Sequence, residues 1–530
     1  MTDIVNKIWD VIVVGTGIGG GTIGRRLAEQ GLSVLFLEKG PTGLSGEQQF
    51  LRTDLEDPEA RHLRGYWPKP FHATVDGRQS RFFGPIGSGV GGTSAFYAAT
   101  LERPERHDIE DTPETPHPTG GWPVNYETFA PYYDEAERIY EVCGEQDPLC
   151  ADPHPPLRQP PPMSADDREM SASFRQNGLH PYHVHMAIRA VPGCLQCFGH
   201  KCPMNCKMDG RTAGVEPALA TGNAALLDRC TVVAIREQDG RISSVDADWN
   251  GRRISLRART YVLAAGGLGS PRPLLASRSP KWPTGLGNRN DLVGRNLMFH
   301  LTEMIAIWPA KGLRSSGPSR SLALRDVYFV EGARYGALQA MGVDASYGMI
   351  VHYLNGLFDR SAVRHFRTLR EFTRLPAYIA AKIFGNAKLF AGIIEDFPSS
   401  HNRVLLDADD PDRISFEYTI AAELHERRKK YRRIVRKALK GHRTVFLSPQ
   451  PDLNLAHSCG TQRFGDDPET SVLDHSCRLH DVRNLYVADS SFMPSSLGIN
   501  PSLTIAANAL RVGDHILAQA RHRSLETVDG

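Results

Sequence analysis

Residues 10 to 38 read DVIVVGTGIGGGTIGRRLAEQGLSVLFLE, and this stretch limits the fold more than any other. A short apolar run, Val11 to Val14, leads into Gly15-x-Gly17-x-x-Gly20. A helical pattern follows to Gln30, and Gly31 stops it. A second apolar run, Val34 to Leu37, ends in Glu38. Strand, glycine turn, helix, strand and acid in this order predict a dinucleotide-binding βαβ unit. Gly15 permits the tight turn, Gly17 lets backbone approach a pyrophosphate, and Gly20 lets helix and strand pack closely. The helix N-terminus attracts phosphate. Glu38 is placed to accept from ribose hydroxyls, and its charge disfavours a 2′-phosphate. The unit alone does not separate FAD from NAD.

Such a unit occupies a small part of 530 residues, so at least one further domain is expected. The apolar share of 41% and charged share of 23% are those of ordinary globular chains. A net charge of +2 points to no polyanionic partner, and nucleic acid is not expected. The N-terminal MTDIVNKIWD is mixed and polar, and VIVVG is too short for a signal peptide. No apolar run reaches the roughly 18 residues of a membrane span, so none is expected. Nine cysteines without an export signal fit a reducing compartment, and a cytoplasmic location is expected.

Residues 41 to 80 read as polar and irregular. The segment FFGPIGSGVGGTSAFYAATLERP is glycine-rich and reads as a wall against a planar cofactor, faced by Thr93, Ser94 and Tyr97. PYYDEAERIY has a helical period, with Tyr126 and Pro131 at its start. Residues 152 to 163 are proline-rich and predict an extended connector. Cys194, Cys197, Cys202 and Cys206 stand at x2, x4 and x3 spacing. That matches neither a two-CxxC zinc site nor the ferredoxin run, so no metal is assigned. Buried thiols or one redox-sensitive pair is the favoured reading, and the role of the four stays open. Thr231 to Ile235 and the run before Gly266-Gly267 read as strands. A strand ending in Ala-Gly-Gly so late suggests a second pass along the nucleotide sheet, which favours FAD.

Between residues 300 and 450, HLTEMIAIWPA, DVYFVEG and the stretch around Arg413 to Tyr418 read as strands of a separate sheet. Residues 366 to 390 read as a lid or domain-packing helix in preference to a membrane-lying segment. Residues 426 to 440 form a basic helical pattern with a solvated face, with Leu424, Tyr431, Val435 and Ala438 towards the core. The last fifth carries His457 in AHSCG, Asp489 at the end of NLYVAD, and Asn500-Pro501 before SLTIAANAL.

Six segments in order then carry a resemblance: GTGIGGGTIGRRLAEQGLSVLFLEKG, GVGGTSAFYAATLER, GWPVNYETFAPYYDEAE, YVLAAGGLGSPRPLL, LVGRNLMFH and the C-terminal block. Along nearly its whole length the chain resembles the glucose–methanol–choline (GMC) flavin oxidoreductases. Its C-terminal block and CLQCFGHKCPMNCKMDG are most similar to the bacterial branch that oxidises glycosides, pyranoses and aminoglycosides. The resemblance implies an α/β FAD-binding Rossmann-like domain, discontinuous in sequence, and an α+β substrate domain with an antiparallel sheet. Residues 1–125, 207–298 and 452–530 are expected in the first, and 126–206 and 299–451 in the second.

By the same resemblance, Gly15, Gly17, Gly20 and Glu38 match the ADP-binding motif. Gly92, Thr93 and Ser94 match a loop near the flavin, Val232 the residue whose backbone meets adenine, and Asp489 an acid close to the cofactor. His457 and Asn500 match the catalytic pair. Pro501 is expected at the first turn of the following helix, whose N–H groups favour the flavin's pyrimidine edge. No histidine directly follows Gly91-Gly92-Thr93, where some relatives attach the flavin, so noncovalent FAD is expected.

The implied chemistry is alcohol oxidation. His457 takes the hydroxyl proton, because neutral imidazole titrates near 6.5. Asn500 donates an amide hydrogen bond to the substrate oxygen, and flavin N5 takes the hydride. His300 is the second candidate to line the site. The expected substrate is a sugar, glycoside or aminoglycoside-like alcohol. The alternatives are a sterol or aliphatic alcohol, or a flavoprotein without turnover. O2, a quinone and a redox protein stand equal as electron acceptor.

Overall fold

In the computed structural model the apolar run of the glycine motif becomes the strand Ile8–Val14, and the helix Ile18–Glu29 and strand Val34–Leu37 complete the βαβ unit. The described residues are 2–46, 57–152, 154–189, 191, 192, 194, 199–309, 319–343, 347–359, 361, 363 and 365–526. Val11 to Val14 and Val34 to Leu37 are all buried, which explains why they read as unbroken apolar runs.

Ile8–Val14 pairs in parallel with Val34–Leu37 on one side and with the second half of Arg252–Leu263 on the other. Ala224–Leu227 extends the sheet beyond Val34–Leu37, and Leu485–Val487 pairs with Tyr261 to Leu263. The parallel core is therefore assembled from segments far apart in sequence. The first half of Arg252–Leu263 leaves it and pairs antiparallel with Arg241–Trp249, which pairs with Cys230–Gln238. The C-terminal helix Ser502–Glu526 packs on Ile18–Glu29 and on Tyr126–Ile139. This is an α/β Rossmann-like layer.

The second sheet is antiparallel. Its order is Thr444–Phe446, Met298–Ile307, Lys388–Ile394, Leu338–Ala340, Leu322–Leu324 and Tyr182–His183, with Leu453–Cys459 also paired to Met298–Ile307. A smaller sheet joins Arg403–Leu406 and Ile414–Tyr418 to Phe71–Val75 and Arg78–Phe82. Among the described residues, no helix is long and apolar enough to cross a membrane.

Several expectations need correction. Residues 41–80 are not irregular throughout: they hold the helix Pro58–Arg64 and the strand Phe71–Val75. Its register is set by Ile414–Tyr418, a partner no local pattern reveals. The helix Tyr126–Ile139 starts at Tyr126, capped by the Asn125 side chain on the Thr128 N–H at 3.0 Å, and Pro131 lies inside it rather than at its start. DVYFVEG yields only the two-residue strand Phe329–Val330. The basic helix, Ala422–Ala438, does bury Leu424, Tyr431 and Val435, but Arg427 and Arg428 are buried as well. Arg428 and Arg432 both pair with Glu303, which is fully buried on the neighbouring strand.

The 366–390 segment is not one helix. Helices Arg367–Arg370 and Arg374–Phe384 end before the buried strand Lys388–Ile394. Lys388 opens this strand with a charge in an otherwise apolar run. It is buried between Asp166 and Asp167, at 2.7 and 2.9 Å. Removing one partner of a buried ion cluster leaves charge without compensation. Lys388→Ala should therefore destabilise the protein by about 3–5 kcal/mol in urea unfolding, and a loss under about 1 kcal/mol would contradict the buried cluster.

Candidate active site

A cavity of about 900 Å³ opens between the two sheets. This is at the upper end for small-molecule and cofactor sites. Gly15, Gly17, Glu38, Gly92, Thr93, Ser94, Val232, His457, Asp489, Asn500 and Pro501 all line it. Gly20 does not. A Cβ on Gly20 would sit 2.1 Å from the Gly15 carbonyl oxygen, so this glycine serves helix–strand packing.

Gly15 has φ +100°, and a Cβ there would lie 2.4 Å from the Ala264 carbonyl oxygen. Only glycine lets the turn rest so closely against the next parallel strand. A Cβ on Gly17 would meet nothing within 4 Å, so this position is open to the cavity. The glycine-rich loop closes on the same turn: Gly92 has φ +56°, and its Cβ would come 3.1 Å from Gly17 Cα. Ser94 Oγ donates to the Gly91 carbonyl at 2.6 Å and accepts from the Gly210 N–H at 2.9 Å. Thr93 Oγ1 accepts from the Gly87 N–H at 3.1 Å. Tyr97 also lines the cavity, and its hydroxyl donates to the Met208 carbonyl.

The two carboxylates fasten turns. Glu38 accepts from the Thr16 N–H at 3.2 Å, the Thr16 hydroxyl at 2.6 Å and the Gly40 N–H at 3.1 Å. Burial pushes its pKa above the usual carboxylate value. Asp489 accepts from the Gly266 N–H at 2.8 Å, the Ser270 hydroxyl and the Ser491 N–H at 2.9 Å, and burial raises its pKa too. It locks the end of Leu485–Val487 to the Gly266-Gly267 turn.

His457 stands on an irregularity. Met298 pairs with Cys459, but two residues on, His300 pairs with Asn454. The surplus residues on the later strand form a bulge, and bulges re-aim side chains. His300 Nδ1 lies 2.7 Å from His457 Nδ1. On its other side, His300 Nε2 faces the carbonyls of Ser496 at 3.0 Å and Leu497 at 2.8 Å. Carbonyls only accept, so Nε2 of His300 carries a proton. Burial holds the His300 pKa down at about 4, so the ring is neutral and its Nδ1 is a lone pair. His457 must then donate from Nδ1, which leaves its Nε2 unprotonated. Nε2 makes no hydrogen bond among the described residues, while the ring lines the cavity. The Asn454 side-chain nitrogen lies 3.3 Å from the same Nδ1; with Nδ1 protonated, the amide oxygen is the end that suits this place.

His300 therefore stands behind His457, fully buried, rather than lining the site. Asn454 was not found from sequence, because its role depends on the bulge. Asn500 is buried on the cavity wall, and its Oδ1 has no partner among the described residues. Cys206 Sγ lies 3.2 Å from both Cys194 Sγ and Cys202 Sγ. Cys197 falls outside the described residues.

Fold and cavity together define a dinucleotide-binding enzyme whose nucleotide turn shares one cavity with an imidazole. The sequence patterns of the GMC oxidoreductases match residues 9–302 and 398–509, and the chain belongs to that family. It is 29% identical to the 6‴-hydroxyparomomycin C oxidase of Streptomyces lividus, over 97% of this chain and 93% of that one. It is also 29% identical to the paromamine 6′-oxidase of Streptomyces fradiae, over 96% and 91%. Among solved structures, the formate oxidase of Aspergillus oryzae RIB40 superposes with a TM-score of 0.67 at 15% identity, covering 98% of this chain and 99% of that one. The protein is an alcohol oxidoreductase, and its family implies FAD.

The cavity fits that cofactor: it is large enough, and Gly17 leaves it unobstructed where the helix Ile18–Glu29 begins. Gly17 has φ −66°, which any residue tolerates. Gly17→Val should therefore fold normally by circular dichroism yet retain flavin at least about tenfold more weakly, a change of ~1.4 kcal/mol. Full yellow occupancy after gel filtration would contradict this placement.

Proposed function

We propose that the protein oxidises a CH–OH group of a sugar, glycoside or aminoglycoside-like substrate, with His457 taking the hydroxyl proton. The observation that carries this reading is the His300–His457 contact, which leaves a lone pair on Nε2 of a cavity-lining imidazole. The two Streptomyces relatives, named as a 6‴-hydroxyparomomycin C oxidase and a paromamine 6′-oxidase, support the substrate class.

The residues that would hold FAD are Gly15, Gly17, Glu38 and Val232 for the adenosine and pyrophosphate, and Gly92, Thr93, Ser94, Asp489 and Pro501 for the flavin. Ser94 stands where some relatives have the attachment histidine, so we take the cofactor as noncovalent. Bound FAD supplies the acceptor for the hydride that leaves the carbinol carbon. His457 receives the proton at Nε2, and its Nδ1–H hydrogen bond to His300 keeps the tautomer that can do so. His300 is a positioning residue, fixed by two backbone carbonyls. Asn500 donates from its amide to the substrate oxygen as negative charge develops there. Pro501 biases Asn500 towards an extended backbone, and its carbonyl accepts from the Ile505 N–H at 3.0 Å in the first turn of the last helix.

We assign residues 1–125, 207–298 and 452–530 to the FAD-binding part and 126–206 and 299–451 to the substrate part. The strand Phe71–Val75 crosses this division, because it pairs with Ile414–Tyr418.

Anaerobic mixing tests the reading. A panel of glycosides, aminoglycosides, sterols and simple alcohols should bleach the flavin only with the sugar-like members. Bleaching by sterols alone would replace the substrate class. His457→Ala should keep its FAD but lose nearly all bleaching, and normal reduction by this variant would remove His457 from the mechanism.

The pH dependence follows from burial. Burial, reinforced by the neighbouring His300, holds the His457 pKa well below 6.5. A base with a lowered pKa stays neutral into mildly acidic solution. The acid limb of kcat/KM should therefore fall below pH 6.5, and a limb at or above pH 7 would exclude His457 as the group it reports.

A further inference from the structure

The helices Tyr347–Asp359 and Arg374–Phe384 pack on each other outside the second sheet. The inner side of Arg374–Phe384 is built of small or shielded groups. Ala377 is fully buried, and the Phe384 ring lies tilted against Trp308, 5.5 Å between ring centres. The outer side is the more apolar one. Phe372, Leu375, Ile379 and Ile383 recur at three- and four-residue spacing and are 71%, 65%, 51% and 46% exposed. Of the fourteen large hydrophobic residues exposed among the described residues, nine lie between Tyr347 and Ile383. Ordinary surface helices turn their large apolar residues inward and polar residues outward. This one does the reverse, and contiguous exposed apolar surface of that kind marks an interaction site.

Charge selects the partner. Residues 347–387 hold Arg360, Arg364, Arg367, Arg370, Arg374 and Lys382 against two acids, Asp359 and Glu371, the latter paired with Arg374 at 2.8 Å. Arg374 and Lys382 are exposed beside the apolar stripe, and the Lys382 ammonium lies 4.7 Å from the centre of the Tyr378 ring. A second copy docked face to face would set like charges opposite each other. A bilayer surface supplies the complement to both features: acyl chains for the stripe and phosphates for the cations.

We propose that this helical face docks on the surface of an anionic lipid bilayer, without crossing it. The pair then lies in the interface plane with Phe372, Leu375, Ile379 and Ile383 below the headgroups and Arg374 and Lys382 among the phosphates. The helices rest on the second sheet through Ile350 and Phe384, which pack with Ala306, Ala387 and Leu389. Docking by this face therefore turns the antiparallel sheet, and not the dinucleotide sheet, towards the lipid.

The test is flotation of the FAD-loaded full chain with two kinds of vesicle, phosphatidylcholine alone and phosphatidylcholine mixed with phosphatidylglycerol. Co-flotation is expected only with the anionic vesicles, with release at high salt. The double substitution Phe372→Ser/Ile379→Ser and the charge reversal Arg374→Glu/Lys382→Glu should each reduce the bound fraction by roughly tenfold or more. Anaerobic flavin reduction should be unchanged in both variants. Failure of the wild-type protein to float with anionic vesicles overturns the proposal, as does flotation that both variants retain. A dimer that Phe372→Ser/Ile379→Ser splits in sedimentation velocity would also overturn it, in favour of a second copy.

Discussion

The parallel pairing of Ile8–Val14 with the end of Arg252–Leu263 is the contact on which the rest of the molecule depends. It brings the Gly15 turn against the carbonyl of Ala264, at a distance that no side chain on residue 15 would permit. Two strand ends, more than two hundred residues apart, thereby open onto one crevice, as expected at the carboxyl ends of parallel strands. Leu485–Val487 joins the same strand, and Asp489 then reaches the Gly266 N–H. The cofactor cavity, the glycine loop packed on Gly17, and the last helix with Asn500 before it all follow from that one juxtaposition.

What was legible in the sequence is what is local. The glycine turn, the strand before it and the acid after it obey short-range rules, so their places in the fold could be read directly. His457, Asp489 and Asn500 could be picked out through their surrounding motifs, and all three line one cavity. The histidine pair could not be read. His300 and His457 are 157 residues apart, and a bulge with no period of its own brings them together. The place of Lys388 is hidden for a related reason. A lysine in an apolar run looks like an interruption until its partners, Asp166 and Asp167, arrive from another part of the chain. The strand Phe71–Val75 was hidden because its register partner comes more than three hundred residues later.

The substrate half also differs in how it is held. Its central strands carry charges inside the protein: Glu303 between Arg428 and Arg432, and Lys388 between two aspartates. Nearby, Arg325 is buried against Glu102 at 2.8 Å. Buried ion pairs add little net stability over well-packed apolar groups, but each is intolerant of losing a partner. They bind helix to strand in one register, which is a specificity role. The FAD half relies instead on apolar strands and backbone close approach.

The bulge that carries His457 sits on a strand with two allegiances. Leu453–Cys459 is hydrogen-bonded to the antiparallel sheet, yet the Ser458 carbonyl accepts from Ser490 Oγ at 2.7 Å and lies against Gly267 in the nucleotide half. His457 is thus tied to both halves: its strand pairs with Met298–Ile307 in the sheet that also holds Gln339 and Ile393, while Ser458 next to it is fastened to Ser490. A substitution that shifts Met298–Ile307 is therefore felt at once by His300 beneath His457 and by the paired strand that carries Ile393 on the cavity wall, so this strand is the place where a distant change reaches both sides of the cavity together.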